Sequence, residues 1–367
     1  MAPIGNALRQ RTILLTGASG VVGRALLPVL KGGRVICLTH DTGVGTEQVR
    51  GDIAARNLGL PEDVYHWLAG NVTTIIHAAA RTDFAYPGPE QTNVEGTRHV
   101  VELTRRSGAH LIHVSTAFVN APAGAAKSAR RYAESKRVME ELVWNSGVQA
   151  TVVRPSIVVG GDSATGMPSR YRAMYDWAEA VLGGYLHVLP LDPSWYFDVV
   201  PQDLVAACIA GLTDGHRIGQ TIWISCGTRA PTLAAISKLL TELATACGRI
   251  VHQPRFVEPA ACHRAAAPVF PSLPTASFVR CTRLLDEITE FAQFDALPSS
   301  VTDLLGPHRT SLRDPIAMLA QRMAIWARSH GYALSSARPM MDGSEPVKLL
   351  GRDLTEPVVI TEAASPG

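Results

Sequence analysis

Thr12-Ile13-Leu14-Leu15-Thr16-Gly17-Ala18-Ser19-Gly20-Val21-Val22-Gly23 is the stretch whose reading decides the fold. Residues 12–16 form a short apolar run that stops at a glycine, the pattern of a strand buried on both faces of a parallel sheet. From residue 21 to 31 apolar side chains recur at helical spacing, at Val22, Leu26, Leu27 and Leu30, and Gly32-Gly33 ends the helix. Arg34 to Thr39 reads as a second strand. Between the first strand and the helix the glycines fall as GxxGxxG. Gly17 permits a tight turn, Gly20 lets the backbone approach a phosphate, and Gly23 lets the helix pack on the strand. The N–H groups and positive dipole end of the helix then face an anion. A glycine triplet alone is a weak signal; set in a strand–turn–helix–strand unit, it is the context a dinucleotide pyrophosphate requires.

Working outward, the same alternation recurs. Thr73–His77, His110–Ser115 and Ala150–Arg154 read as strands, the last ended by Pro155. Thr97–Arg106 and Tyr132–Trp144 read as helices. Strands separated by helices imply an α/β fold, a doubly wound parallel sheet of the Rossmann type. Beyond Pro155, residues 160–198 read as loops with one helix near 170–182. Helix 203–212 and strand 220–225 return the chain to the sheet. An amphipathic helix spans 231–248, prolines break up 250–310, and a further helix covers 316–330. The expected division is a Rossmann domain at 9–160 plus about 199–228, with a smaller, mostly helical substrate-binding subdomain at 161–198 plus about 229–335. Residues 336–367 read as a C-terminal tail, taken as mobile.

The bulk properties narrow the function. With 34 basic and 32 acidic residues the net charge is +2, too even for a dedicated nucleic-acid or anionic-membrane surface. No run reaches the roughly 18 apolar residues of a membrane span, and MAPIGNALRQR lacks the apolar core of a secretory signal. The six cysteines, at 37, 208, 226, 247, 262 and 281, form no CxxC pair and read as buried, reduced thiols of a cytoplasmic protein.

Two further patterns carry chemistry. Tyr132 and Lys136 stand at i and i+4 on one helix face, where an ammonium lowers a phenol's pKa and makes it a usable general acid near neutral pH. Ser115 ends the strand 110–115 and Thr116 follows it, at the carboxyl edge where open α/β sheets bind ligands. Thr116, or Ser115, is placed to orient a substrate carbonyl while Tyr132 donates the proton. The second strand ends in Thr39-His40-Asp41, without an acidic residue at position 39. Arg24 and His40 offer positive charge for a 2′-phosphate, which favours NADPH, while Asp41 leaves NADH as the lesser alternative. His77 and His113 have no third ligand at metal spacing and read as sheet-packing residues; no metal is expected.

These motifs resemble an extended short-chain dehydrogenase/reductase: TGASGVVG at 16–23, YAESK at 132–136, GDI at 51–53, HAAA at 77–80 and Asn93 in TNVEGT. The resemblance implies that Thr16, Gly17, Ser19, Gly20, Val21, Val22, Gly23 and Arg24 hold the cofactor's phosphates. It assigns Asp52 and Ile53 to the adenine, and Ala78, Ala79, Ala80, Asn93, Lys136, Pro155 and Ile157 to the cofactor groove. A narrower resemblance is to the thioester-reductase and male-sterility (fatty acyl-CoA reductase) branch. It is carried by GDIAARNLGL at 51–60, HAAARTDFAYP at 77–87, HVSTAFVN at 113–120, YAESKRVMEELV at 132–143, VVRPSIVVG at 152–160 and DVVPQDLVAACI at 198–209. The second strand ends in Leu-Thr-His where that branch often has an arginine, and Arg137 stands where an aromatic residue is frequent.

The resemblance implies NADPH-dependent reduction of an acyl group held as a thioester, on a carrier protein or coenzyme A, to an aldehyde or alcohol. No stretch resembles an adenylation or carrier domain, so the acyl group is expected to arrive from elsewhere. The sequence leaves oligomeric state open. One rival keeps the machinery for a ketone, alcohol or nucleotide sugar, with Arg154 as a candidate for a second pyrophosphate. Another is a non-catalytic dinucleotide sensor, a class that typically lacks the tyrosine retained here. Trp177, Tyr185, Trp195, Tyr196 and Phe197 read either as an acyl channel or as core, and the helix 316–330 as core or lid.

Overall fold

The computed structural model describes residues 11–40, 45, 47–81, 89–119, 127–160, 174–257, 284–285, 288–289, 291–306 and 314–334. In chain order the first half holds β1 (Thr12–Thr16), α1 (Val21–Leu26), β2 (Arg34–Thr39), β3 (Gln48–Arg50), α2 (Glu62–Asn71), β4 (Thr74–His77), α3 (Pro89–Ser107), β5 (His110–Val114), α4 (Lys127–Asn145) and β6 (Ala150–Pro155). The second half holds β7 (Ile157–Val159), α5 (Met174–Leu182), β8 (Val188–Leu189), β9 (Tyr196–Phe197), β10 (Val199–Pro201), α6 (Gln202–Gly211) and β11 (Thr221–Ile224). It continues with α7 (Leu233–Ala246), β12 (Arg255–Phe256), β13 (Ala292–Gln293), α8 (Val301–Leu305) and α9 (Pro315–Ser329).

Seven strands form one sheet in the order β11-β6-β5-β4-β1-β2-β3. Every pairing in it is parallel. The chain builds outward from β1 to β3, then returns to place β4 on the other side of β1. The strand order therefore reverses between β1 and β4, which opens a crevice at their carboxyl ends. The strand period of two separates the two cores. Ile13 and Leu15 face Leu26 of α1 and Val205 and Ile209 of α6. Leu14, between them, faces Leu68 of α2, Val100 and Leu103 of α3 and Val143 of α4. A strand apolar on both faces is thus the expected result of helices covering both faces.

A third core joins α5, α7 and α9 through Trp177, Leu240, Leu243, Leu319 and Met323. Trp177 meets Phe197 edge-on, with ring centroids 5.5 Å apart. Those two aromatics are core rather than channel wall, and Tyr185 and Trp195 pack against the same cluster. The 316–330 helix is core as well: Leu319 and Met323 are fully buried, and Arg322 donates to Asp203 of α6 at 2.7 Å. Among the described residues no helix is long and apolar enough to cross a membrane. The described cysteines are free thiols, with Cys37, Cys208 and Cys226 buried. Cys262, Cys281, residues 161–173 and the 336–367 tail lie outside the described residues.

Several boundaries differ from the periodicity. α1 ends at Leu26 rather than residue 31, because Pro28 has no N–H to continue the helical ladder. α3 and α4 begin earlier than expected, at Pro89 and Lys127, through polar first turns that carry no apolar period. β3 and α2 have no counterpart in the sequence reading. Only Tyr65 and Leu68 of α2 are buried, too few to set up a helical repeat.

His77, the last residue of β4, pairs in register with His113 of β5, with ring centroids 5.4 Å apart. Burial pulls the His77 pKa down to about 3 and that of His113 well below the usual value, and the Lys136 charge pushes both the same way. Unfolding releases both rings to the ordinary value near 6.5. Stability they support is therefore present above pH 6.5 and falls as pH drops below it, by at most about 2.7 kcal/mol per pH unit for two protons. The urea midpoint is expected to decline between pH 6.5 and 5, and His113→Leu to make that decline shallower; an unchanged midpoint over this range contradicts the buried neutral pair.

Candidate active site

The glycine turn is fixed by close backbone approach. Gly17 has φ +74°, and a Cβ there would lie 2.6 Å from the Ala78 carbonyl carbon and the Ala79 nitrogen. Gly20 N–H donates to Gly17 O at 3.0 Å and closes the turn. A Cβ on Gly23 would lie 2.1 Å from Gly17 O. Gly23 thus makes room for the turn itself, not for the packing of helix on strand expected from sequence. The first bond of α1 runs from Arg24 N–H to Gly20 O, so the N–H groups of Val21, Val22 and Gly23 precede the ladder. Ser19 and Gly20 are exposed, and a Cβ on Gly20 would meet only Gly17 O, at 3.2 Å. This open cradle of main-chain N–H groups fits a pyrophosphate.

Beyond β3, Asp52 Oδ1 accepts the Ala54 N–H at 2.9 Å, and its Oδ2 lies 3.8 Å from His40 Nε2. Ile53 packs where a Cβ on Gly96 would stand, and its carbonyl lies 2.9 Å from His99 Nδ1. Arg24 is exposed, and its Nε–H donates to Ser19 O at 3.1 Å, which holds the guanidinium at the turn. Asp41 lies outside the described residues. Along the crevice, Ala78, Ala79 and Ala80 are half-buried. Ala79 N–H donates to Thr16 Oγ1 at 3.2 Å. Asn93 binds the backbone of Arg81 from both sides, accepting its N–H at 2.8 Å and donating to its carbonyl at 3.1 Å.

The other end of the crevice collects the hydroxyls and the lysine. Ser115 N–H donates to Val153 O and Ala117 N–H to Pro155 O, so the β5 loop is clamped to the end of β6. Ile157 begins β7 immediately beyond. Thr116 Oγ1 accepts the Phe118 N–H at 3.3 Å. Ser115 Oγ is buried, with no hydrogen-bond partner among the described residues. Tyr132 is half-buried on α4, and the Lys136 ammonium lies 6.0 Å from its ring centroid. Lys136 is 3 % exposed and donates to Val114 O at 3.2 Å, which ties α4 to the carboxyl end of β5. Burial lowers its pKa to about 8, against an opposing pull from Glu140. Glu140 is itself buried and pairs with Arg154, whose guanidinium lies 4.8 Å from the Trp223 ring centroid.

The structure thus collects the glycine turn, Ala78–Ala80, Asn93, Ser115, Thr116 and Lys136 along one carboxyl edge. Arg137 points away, paired with Glu134 and Glu141. Among the described residues no group of three His, Cys, Asp or Glu is placed to hold a metal ion. Sequence reading missed Asp198, which is 1 % exposed and accepts the Cys226 N–H at 3.0 Å with both oxygens. Burial pushes its pKa up to about 6. The available signal was a lone carboxylate inside the apolar run 196–201.

The Male sterility protein family matches residues 45–209. A glycine betaine reductase from Emericella nidulans is 26% identical over 274 residues, covering 60% of this chain and 21% of the relative. The chain thus spans about a fifth of that relative's length. Among solved structures, the terminal R domain of the myxalamid PKS-NRPS biosynthetic pathway superposes with a TM-score of 0.64 at 22% identity, covering 89% of this chain and 92% of that one. MoeE5 in complex with UDP-glucuronic acid and NAD gives 0.59 at 18% identity, covering 87% and 99%. The family match, the Rossmann-type sheet, the glycine turn closed on the β4 edge and the buried YxxxK lysine together make this chain similar to the extended short-chain dehydrogenase/reductases of the thioester-reductase and male-sterility branch.

Proposed function

We propose that this protein is an NADPH-dependent reductase of acyl thioesters, the acyl group being presented on a carrier-protein phosphopantetheine arm or on coenzyme A. The observation that carries this reading is the buried Lys136, held at Val114 O beside Tyr132 and next to Ser115-Thr116. An ammonium kept out of water, with one charged partner a helical turn away, acts strongly on a neighbouring phenol.

Gly17, Ser19, Gly20, Val21, Val22 and Gly23 would hold the pyrophosphate, Arg24 and His40 the 2′-phosphate, and Asp52 with Ile53 the adenine. Thr16, Ala78, Ala79, Ala80, Asn93, Pro155 and Ile157 would line the groove toward the nicotinamide. Bound NADPH supplies a hydride to the thioester carbonyl carbon. Thr116, with Ser115 behind it, and Tyr132 hold the carbonyl oxygen as negative charge builds on it. Tyr132 delivers the proton, and Lys136 keeps the tyrosine acidic enough to do so. The resulting hemithioacetal breaks its C–S bond, returning the proton to sulfur and leaving a free thiol and an aldehyde. A further round on the aldehyde would give the alcohol.

Arg154 bears on the nucleotide-sugar rival. It is paired with Glu140 and stacked on Trp223, so it is engaged in the fold rather than presented to a second pyrophosphate.

NADPH oxidation with an acyl-pantetheine or acyl-CoA is expected to release one free thiol per first hydride, and Tyr132→Phe to lower kcat by roughly 10²–10⁴-fold while cofactor binding persists. Turnover of free ketones or nucleotide sugars alone, with no thiol release from any thioester, overturns the reading. The Lys136 ammonium is present below its pKa and lost above it, so kcat/KM is expected to fall as pH rises through about 8. A profile flat from pH 7 to 9 contradicts that role. Arg24→Ala is expected to raise KM for NADPH and leave KM for NADH nearly unchanged; equal effects on both cofactors assign the adenosine end to NADH instead.

A further inference from the structure

The carboxyl end of β4 holds a polar side chain that the proposed chemistry does not use. His77 is 1 % exposed, yet both ring nitrogens have partners. Nδ1 lies 2.8 Å from Thr16 Oγ1, and Nε2 lies 3.3 Å from Thr97 Oγ1. The direction of each bond follows from counting protons. A hydroxyl has one proton to give. Thr97 gives its proton to the Asn93 carbonyl at 2.8 Å, so toward His77 it can only accept. The proton of the neutral ring therefore sits on Nε2, Nδ1 is a bare acceptor, and Thr16 donates to it. The lone pair left on Thr16 takes the Ala79 N–H at 3.2 Å.

The result is a one-way chain: Ala79 N–H to Thr16, Thr16 to His77, His77 to Thr97, and Thr97 to the Asn93 carbonyl. It crosses three elements. Thr16 is the last residue before the glycine turn. Ala79 lies in the β4 extension that Gly17 touches. Asn93, on α3, grips the Arg81 backbone from both sides and so fixes the far end of that same extension. The three links from Thr16 through His77 and Thr97 to Asn93 are buried, so a missing one leaves a donor or acceptor without water to replace it.

We propose that His77 is a positioning residue for the dinucleotide groove: through Thr16 and Thr97 it sets the spacing between the glycine turn and the Ala78–Arg81 wall, and so sets cofactor affinity. This rests on the reading of that groove as the nicotinamide-dinucleotide site. Thr97 is the informative position. It is fully buried in α3, two links from the turn, and none of the groove residues named above.

The test is NADPH binding followed by fluorescence, with no substrate present, alongside thermal unfolding. Thr97→Val keeps the shape and removes the hydroxyl. It is expected to weaken NADPH binding by roughly 3–10-fold, the range of one buried hydrogen bond. Thr97→Ser restores the hydroxyl and is expected to restore the affinity. His77→Leu breaks both links, and adding Thr97→Val to it is expected to cost little more, because the chain is already cut. A Thr97→Val protein that unfolds earlier but binds NADPH as the wild type does would make the chain purely structural and overturn the proposal. So would fully additive losses in the double variant. Wild-type protein that binds neither NADPH nor NADH removes the groove reading and the proposal together, an outcome distinct from normal wild-type binding with an unaffected Thr97→Val.

Discussion

The carboxyl edge of the sheet depends on the approach of the Gly17 backbone to Ala78 and Ala79. A side chain at residue 17 would stand 2.6 Å from that backbone, and one at residue 23 would stand 2.1 Å from the Gly17 carbonyl. Because both positions are glycine, the turn drops onto the end of β4, and two other features become possible. The first N–H groups of a short helix open onto the crevice. Thr16, at the top of β1, comes within reach of both the Ala79 N–H and the His77 ring. The groove along this edge is therefore one object made by two strands and α3, rather than a loop attached to a scaffold.

The same edge concentrates buried charge. Lys136 gives one proton to Val114 O, Glu140 follows it a turn later on α4, and Arg154 reaches Glu140 from β6. Burying any one of these alone would be costly; linked across helix and sheet, they offset one another and fix α4 against β5 and β6. The lysine's lowered pKa and its rigid position are consequences of the same burial. Beside it, His77 and His113 remain neutral because a second positive charge there would be repelled as well as desolvated. A further tie holds the third core to the sheet, where Arg322 of α9 meets Asp203 of α6.

Elements built on a strong apolar period were legible in the sequence. β1, β2, β5 and β6 fall within a residue or so of their expected bounds, as does α7 within two or three, since each buries a continuous or periodic apolar set. α2 and the polar first turns of α3 and α4 were not, because they are held by neighbours and by chain connection rather than by an apolar stripe. Pro28 was visible all along; the apolar side chains beyond it obscured its effect on α1. Of the site, the glycine turn and the Tyr132–Lys136 spacing were legible because both are local. Asp198, Glu140 and the His77 chain were not, because each depends on a partner from 14 to 61 residues away.

By itself the sequence determined the α/β class, the parallel sheet and the identity of the groups at its edge, because period, glycine spacing and i,i+4 geometry are properties of a chain segment. It also carried the resemblance that names the branch. Only the tertiary structure decided which polar groups face one another. It made Gly23 a clearance for the turn, gave His77 a fixed tautomer between two threonines, and turned Arg154 from a candidate ligand contact into the partner of Glu140. The physical reason is that a proton's location, a pKa and an ion pair are set by distances between elements, which the spacing of residues along a chain does not contain.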